Sequence, residues 1–255
     1  MKLSIITCTY NSEKYLEKCI ESVKNQKVNN DIYEHIFIDG YSNDNTINII
    51  NNYMSENINT IIKVVQKVPK GIYNAMNTGI NISKGEYITF LNSDDYYNDD
   101  VLNDYLNFVE NDGNKDLYYG INNIVDNVGN IKTEYPNKGI YKKGLNKYIL
   151  AMACYIFQSN TLYKKSLHDK YGLYNENLKL VSDAEFFVKL AKLNISNKFY
   201  NKVIANFRMH DGSASKNSNL QENELEKVRI NVFGNMSGNF MNLIYKILKK
   251  ILIKK

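Results

Sequence analysis

The chain has 255 residues, 44% of them hydrophobic and 23% charged, with three cysteines and two prolines. That composition excludes disordered, collagen-like and coiled-coil chains, and the length suits one large α/β domain, or one domain with a small extension. The net charge of +5 is carried by residues 236–255, which hold five lysines and no acid; the rest is neutral and has no broad basic face for nucleic acid.

Taken in chain order, residues 3–8 predict a buried strand, and Tyr15, Leu16, Cys19, Ile20 and Val23 supply one face of a helix over 14–25. Residues 34–38 predict a second strand, closed by Asp39-Gly40, and Ile47, Ile50, Tyr53 and Met54 the stripe of a second helix. A third strand over 60–66 leads to a helix through Ile72, Ala75, Met76, Gly79 and Ile80. A fourth strand, 86–91, ends at Asn92-Ser93-Asp94-Asp95 before a helix over 98–110. This alternation predicts a mostly parallel sheet with helices on both faces.

The second half reads as strands within 116–135, a strand over 153–163, a helix from Ser182 to Ile195 and a strand over 198–208. Ser182 with Glu185 three residues on is the pattern of a capping box. Cys8, Cys19 and Cys154 form no C-x-x-C pair, which argues against a zinc ribbon or disulfide framework. The start does not read as a signal peptide, and no apolar run approaches a membrane span, so a reduced, cytoplasmic protein is expected.

In an open parallel sheet, ligands bind beyond the carboxyl ends of the strands. Three polar clusters fall there: Thr7 to Asn11, Asp39 to Asp44, and Asn92 to Asp95. The glycine-rich dinucleotide fingerprint and the P-loop are both missing, so a bound phosphate needs another neutralising group, usually a divalent metal on carboxylates. Asp94-Asp95 suits that task, although such a pair also favours the start of the next helix. Asp39 can accept from the ring N–H of a base, or simply form an Asp-Gly turn; the sequence alone does not choose.

The segments SIITCTYN at 4–11, IDGYSNDNT at 38–46, KGIYNAMNTGINISKGEYITFLNSDD at 70–95 and GLYNENLKLVSDAEFFVKL at 172–190 resemble, in that order, the family 2 glycosyltransferases. The resemblance covers roughly 1–215 and is greatest to the bacterial surface-polysaccharide subgroup. It implies a GT-A (Rossmann-like) α/β fold, with 1–115 as the nucleotide-sugar half, 116–215 as the acceptor half and 216–255 as a helical tail. It also implies an inverting, metal-dependent transfer from a nucleoside-diphosphate sugar, with UDP expected, to a lipid-linked or oligosaccharide acceptor. The alternative is a degenerate nucleotide-sugar-binding partner of a glycan assembly complex.

Residue by residue, the resemblance implies donor contacts at Thr9, Tyr10, Asn11, Asp39, Lys70, Gly71, Asn77, Ser93, Asp94 and Arg208. It implies Mn²⁺ or Mg²⁺ at Asp94, with Asp95 and His210 in support, and Asp183 as the catalytic base. The chain departs from the family pattern where Asn92 replaces the first acid of D-x-D, where Pro69-Lys70-Gly71 replaces Asp-x-Gly, at Asn74, and where Phe157 precedes Gln158 in place of His. In the tail, Phe240, Met241, Ile244, Ile247, Leu248, Ile251 and Leu252 recur at helical spacing among lysines. This predicts an amphipathic helix on an anionic membrane surface, and a protein peripheral to the inner face of the cell membrane. A helix docked on the protein's own core is the other reading.

Overall fold

The computed structural model describes residues 2–26, 28, 32–57, 60–136, 144–152 and 155–253. The first half alternates as expected: β1 (Leu3–Thr9), α1 (Glu13–Lys24), β2 (Tyr33–Asp39), α2 (Thr46–Glu56), β3 (Ile61–Gln66), α3 (Ile72–Ile82) and β4 (Tyr87–Phe90). A two-residue β5 (Tyr96–Tyr97) and α4 (Val101–Asn111) follow. The second half runs β6 (Leu117–Val125), β7 (Ile131–Tyr135), α5 (Lys147–Met152), β8 (Thr161–Lys164), α6 (Ser166–Tyr171), α7 (Ser182–Lys192), β9 (Asn197–Arg208), α8 (Ser218–Phe233) and α9 (Asn235–Ile253).

One sheet carries the fold, in the order β3-β2-β1-β4-β8-β6-β9-β5, with β7 added on β6. β3, β2, β1 and β4 are parallel; β8 is antiparallel to β4 and β6, and β6 and β9 are again parallel. The period-2 alternation of side chains along the strands explains the two cores. Ile6, Ile36 and Ile38 face α3 and α7, whereas Leu3, Ile5 and Phe37 face α1, α2 and α4.

Two local expectations are corrected. The strand over 153–163 is much shorter, because Gln158–Asn160 forms a 3₁₀ turn and only Thr161–Lys164 joins the sheet; residues 153 and 154, including Cys154, lie outside the described residues. The side chains explain the break: Asn160 Nδ2 donates to Gly120 O at 3.0 Å, and Thr161 Oγ1 donates back to Gln158 O at 2.9 Å. The capping box is also absent. Ser182 is already helical, and its Oγ accepts from Asn175 N at 2.6 Å, fastening the preceding loop instead of the helix end.

Beyond residue 215 the chain returns to the body. Glu224 of α8 is buried and accepts from the backbone N–H groups of Lys179 and Leu180, at 2.7 and 2.8 Å. α9 then folds back on α8 after Gly234. Among the described residues, no helix is long and apolar enough to cross a membrane.

Candidate active site

The three predicted strand ends meet at one edge of the sheet and are stitched together by hydrogen bonds. Asn11 N donates to Ser42 Oγ at 2.9 Å, and Asn11 Oδ1 accepts from Asn43 N at 3.0 Å. Ser93 Oγ donates to Ser12 Oγ at 2.9 Å, tying in the loop after β4. Above this edge lies a cavity of about 690 Å³ lined by Tyr10, Asn11, Ser93, Asp94, Asp183, Arg208 and His210 among others. A smaller one of about 230 Å³ is lined by Thr9, Tyr10, Asp39, Lys70 and Gly71. Cys8, Tyr10 and Ile72 belong to both walls, so the two are adjoining rooms.

Asp39 ends β2 and is fully buried at the base of the smaller room. It accepts from Thr9 Oγ1 (2.9 Å), Ser42 N (2.9 Å), Ser42 Oγ and Gln66 Nε2 (3.2 Å). All four donors are neutral, and the longest bond is Gln66's. The Thr9 hydroxyl is therefore held by Asp39, and the Asn11 side chain by the neighbouring loop. Tyr10, 63% exposed, is the aromatic face open to a ligand. Gly71 has φ of +98° at the start of α3, a conformation that glycine adopts without strain.

The sequence-predicted metal cluster divides. Asp94 faces the larger room, whereas Asp95 is 1% exposed and turned inward. Arg208 N donates to Asp95 Oδ1 at 2.9 Å, and Asn92 Nδ2 donates to its Oδ2 at 3.0 Å. Burial first, and then the nearby Asp94 charge, push the Asp95 carboxyl well above the usual range. Asp95 thus anchors its loop to β9 and does not line the cavity. Asn92, at the place of the missing acid, is its donor.

Arg208 plays a related part. Its guanidinium lies between Tyr15 and Tyr96, 4.6 and 5.2 Å from the ring centroids. Nε donates to Asp94 O and Nη1 to Asn127 O, both at 2.9 Å. The expected phosphate contact is in this structure a clamp on the Asp94 backbone. His210 Nε2 is 3.0 Å from Asp94 Oδ2, and the ring centroid is 5.0 Å from that of Tyr15. Gly212 N donates to His210 Nδ1 at 3.1 Å, which leaves Nε2 to carry the proton toward Asp94. Among the described residues, no three His, Cys, Asp or Glu side chains form a metal-holding group.

Asp183 sits in the first turn of α7, half-buried at the wall of the larger room. Tyr73 Oη donates to its Oδ1 at 2.8 Å. Burial raises the Asp183 carboxyl above the usual aspartate value, and the Tyr73 hydrogen bond only moderates this. Asn77 is not at either room: its Nδ2 donates to Tyr174 O and Glu176 Oε1, at 3.0 and 2.9 Å, and its Oδ1 accepts from Tyr174 N. It binds α3 to the loop before α7. The sequence singles out Phe157 only as a departure from the family pattern; it does not reveal Tyr73, Tyr15 or the stacking of Phe157 on Phe207, whose centroids are 5.0 Å apart on the cavity wall. It also missed the α8 residues Gln221 and Leu225, which help enclose the cavity. Aromatic side chains at strand ends and helix starts were the available signal.

The sequence matches the family description "Glycosyl transferase family 2" over residues 4–172. It is 27% identical over 225 residues to the chondroitin synthase of Escherichia coli, covering 88% of this chain and 31% of that protein. It is 38% identical over 124 residues to the poly(ribitol-phosphate) beta-N-acetylglucosaminyltransferase TarP of Staphylococcus aureus, covering 47% of this chain and 36% of that one. The aligned region spans only about a third of either relative's length. In fold, it resembles S. aureus TarS 1-349 in complex with UDP-GlcNAc, with TM-score 0.71, 20% identity, and coverage of 94% and 69% of the two chains. It also resembles the mannosyltransferase PcManGT from Pyrobaculum calidifontis in complex with GDP-Man and Mn²⁺, with TM-score 0.68, 11% identity, and coverage of 96% and 73%. These likenesses identify the GT-A fold, and the family match extends from the first strand past the fourth and on to the loop before α7: the chain belongs to glycosyl transferase family 2.

Proposed function

We propose that the protein is an inverting glycosyltransferase that moves a sugar from a nucleoside diphosphate, most naturally UDP, to a hydroxyl of a lipid-linked or polysaccharide acceptor in surface glycan synthesis. The observation that carries this reading is the joining of the two rooms. Asp94 and Asp183 open into one cavity, and that cavity shares a wall with a pocket based on Asp39. The UDP and UDP-GlcNAc complexes of TarS, and the N-acetylglucosaminyltransferase activity in the name of TarP, support the donor class.

The roles follow from the chemistry. The smaller room takes the base, stacked on Tyr10, with Asp39 accepting its N–H in place of the Gln66 amide. The donor sugar extends past Ser93 and Asp94 into the larger room. The stacked rings of Phe157 and Phe207 offer an apolar wall for one face of an acceptor sugar. Asp183 removes the proton from the attacking hydroxyl, an assistance of about 10²–10⁴-fold. Its raised carboxyl makes it a stronger base than an exposed aspartate, and the bond from Tyr73 orients it at the cavity wall.

The side chains fit a cation borne largely by the substrate. Asp94 offers a half-buried carboxylate, and Mg²⁺ or Mn²⁺ is commonly held by one or two carboxylates plus substrate phosphates. Such an ion would supply Lewis-acid stabilisation of the leaving diphosphate. His210 joins it only if its proton moves to Nδ1 and the Gly212 N–H turns away; otherwise it orients Asp94.

The test is a thermal shift with UDP, GDP, dTDP and CMP, each with Mn²⁺ and with a chelator, followed by UDP release from UDP-sugars. A ligand at about 100 times its Kd stabilises by about 2.7 kcal/mol, several degrees for a chain of this size. A manganese-dependent shift with UDP, and release that depends on acceptor, are expected. No shift with any nucleotide, from folded protein, overturns the donor site. A shift without turnover favours the non-catalytic binder.

A further inference from the structure

We propose that the outer face of α9 lies in the interfacial layer of an anionic lipid bilayer. The inference is independent of the donor and acceptor assignments. Among the described side chains of the tail, the structure separates a buried face from an exposed row where the sequence pattern suggested one stripe. The inner face docks on α8: Met241 and Asn242 are buried, and Arg229 Nε donates to Asn242 Oδ1. Arg229 also donates to Ala151 O at 2.8 Å, and its guanidinium lies 4.7 Å from the Tyr245 ring centroid. At Gly238 a Cβ would come within 2.5 Å of Ile230 Cα, so the helices meet at a spacing only glycine allows. The hairpin is thus a specific, closely fitted unit, and its docking leaves the other face outside.

That outer face carries Met236, Phe240, Leu243 and Ile247, 87%, 62%, 56% and 49% exposed. Their spacing of four, three and four residues confines them to an arc of about 60° and a length of roughly 16 Å along the helix. Large apolar side chains scattered singly on a surface need no partner, but an aligned row of four does. Charge decides the occupant. Residues 236–255 contain five lysines and no acid, so the same segment that exposes the row is the one that carries the protein's net charge. Lys246 of α9 pairs with Glu226 of α8 at 2.8 Å, a further tie between the two helices. An apolar row on a segment whose sequence is cationic matches the boundary between acyl chains and anionic headgroups. A second copy of this chain would bring two segments of the same positive charge together.

The experiment is cosedimentation of the full chain with phosphatidylcholine vesicles and with mixed phosphatidylcholine–phosphatidylglycerol vesicles, at low and high salt. Binding to the anionic vesicles alone, weakened by salt, is expected. The double variant Phe240→Ser/Leu243→Ser should bind roughly 100-fold more weakly. Its melting temperature without ligand should match that of the unaltered chain, which separates loss of the surface from loss of the fold. Absence of binding to anionic vesicles, or equal binding by the double variant, overturns the proposal. So does a concentration-dependent dimer that the variant abolishes while no vesicle binding is seen, because the row would then belong to a second copy.

Discussion

β2 carries a fully buried carboxylate near each end, and the two are used differently. At the amino-terminal end, Glu34 accepts from Ser4 Oγ, Lys84 N and Lys63 Nζ. Burial alone would raise its carboxyl, but these donors, the Lys63 ammonium foremost, hold it below the usual glutamate value. At the carboxyl-terminal end, Asp39 has four donors and no cation among its hydrogen-bond partners. Glu34 is completed by the fold. Asp39 has only neutral donors around it, at the base of a room open to a ligand. The same contrast separates Asp95, enclosed by its neighbours, from Asp94 and Asp183, which line the larger room.

The largest expected effect tests the open side of that contrast. Asp183→Asn should lower kcat by about 10²–10⁴-fold while leaving the melting temperature unchanged or slightly higher, measured by UDP release and calorimetry. A variant that melts early and retains activity per folded molecule would class Asp183 with Glu34. Next, Glu34→Gln should destabilise the fold by about 3 kcal/mol, since it leaves Lys63 without its partner, with kcat/KM unchanged. A depressed carboxyl stabilises above its unfolded value and loses that contribution as pH falls through its folded one. The variant should therefore lose part of the normal fall in stability on acidification below about pH 4.5, read from melting temperature against pH.

Asp39→Asn sharpens the comparison by ligand. Uracil presents an N–H where cytosine presents a lone pair, so an amide at this position should weaken UDP about tenfold, ~1.4 kcal/mol, and narrow its advantage over CDP in titration calorimetry. The smallest effect is at Tyr73→Phe. Its hydroxyl favours the ionised form of Asp183, so removing it raises that carboxyl further. The acidic limb of the kcat profile should move upward by about one pH unit or less, with little change in KM.

The order of strands and helices was legible because burial on a sheet has a period of two and on a helix of 3.6. β1 to β4 and α4 follow the expected elements with small differences at the boundaries, and the two-residue β5 is the one strand of that half that was not expected. The three strand-end clusters meet as the topology requires. What escaped was chemistry between residues distant in sequence. Nothing near Asp183 announces Tyr73, which is 110 residues away, and nothing near Asn92 reveals that its amide serves Asp95. The resemblance implies donor contacts at Asn77 and Arg208; the structure shows Asn77 bonded to Tyr174 and Glu176, and Arg208 at the cavity wall with hydrogen bonds to Asp94 O and Asn127 O, partners that the sequence does not announce. Ser182 fits a capping pattern equally well whichever neighbour its hydroxyl meets, and only the fold decides that it is Asn175.

The common wall of Cys8, Tyr10 and Ile72 has a consequence for inhibitor design. Fragments seated separately in the two rooms are close enough to be tethered. A short rigid bridge would make the second contact intramolecular and multiply affinity by about 10²–10⁴-fold without any new interaction. The Phe157–Phe207 end of such a molecule would then set its selectivity, since the stacked rings give that end of the cavity an apolar, aromatic wall.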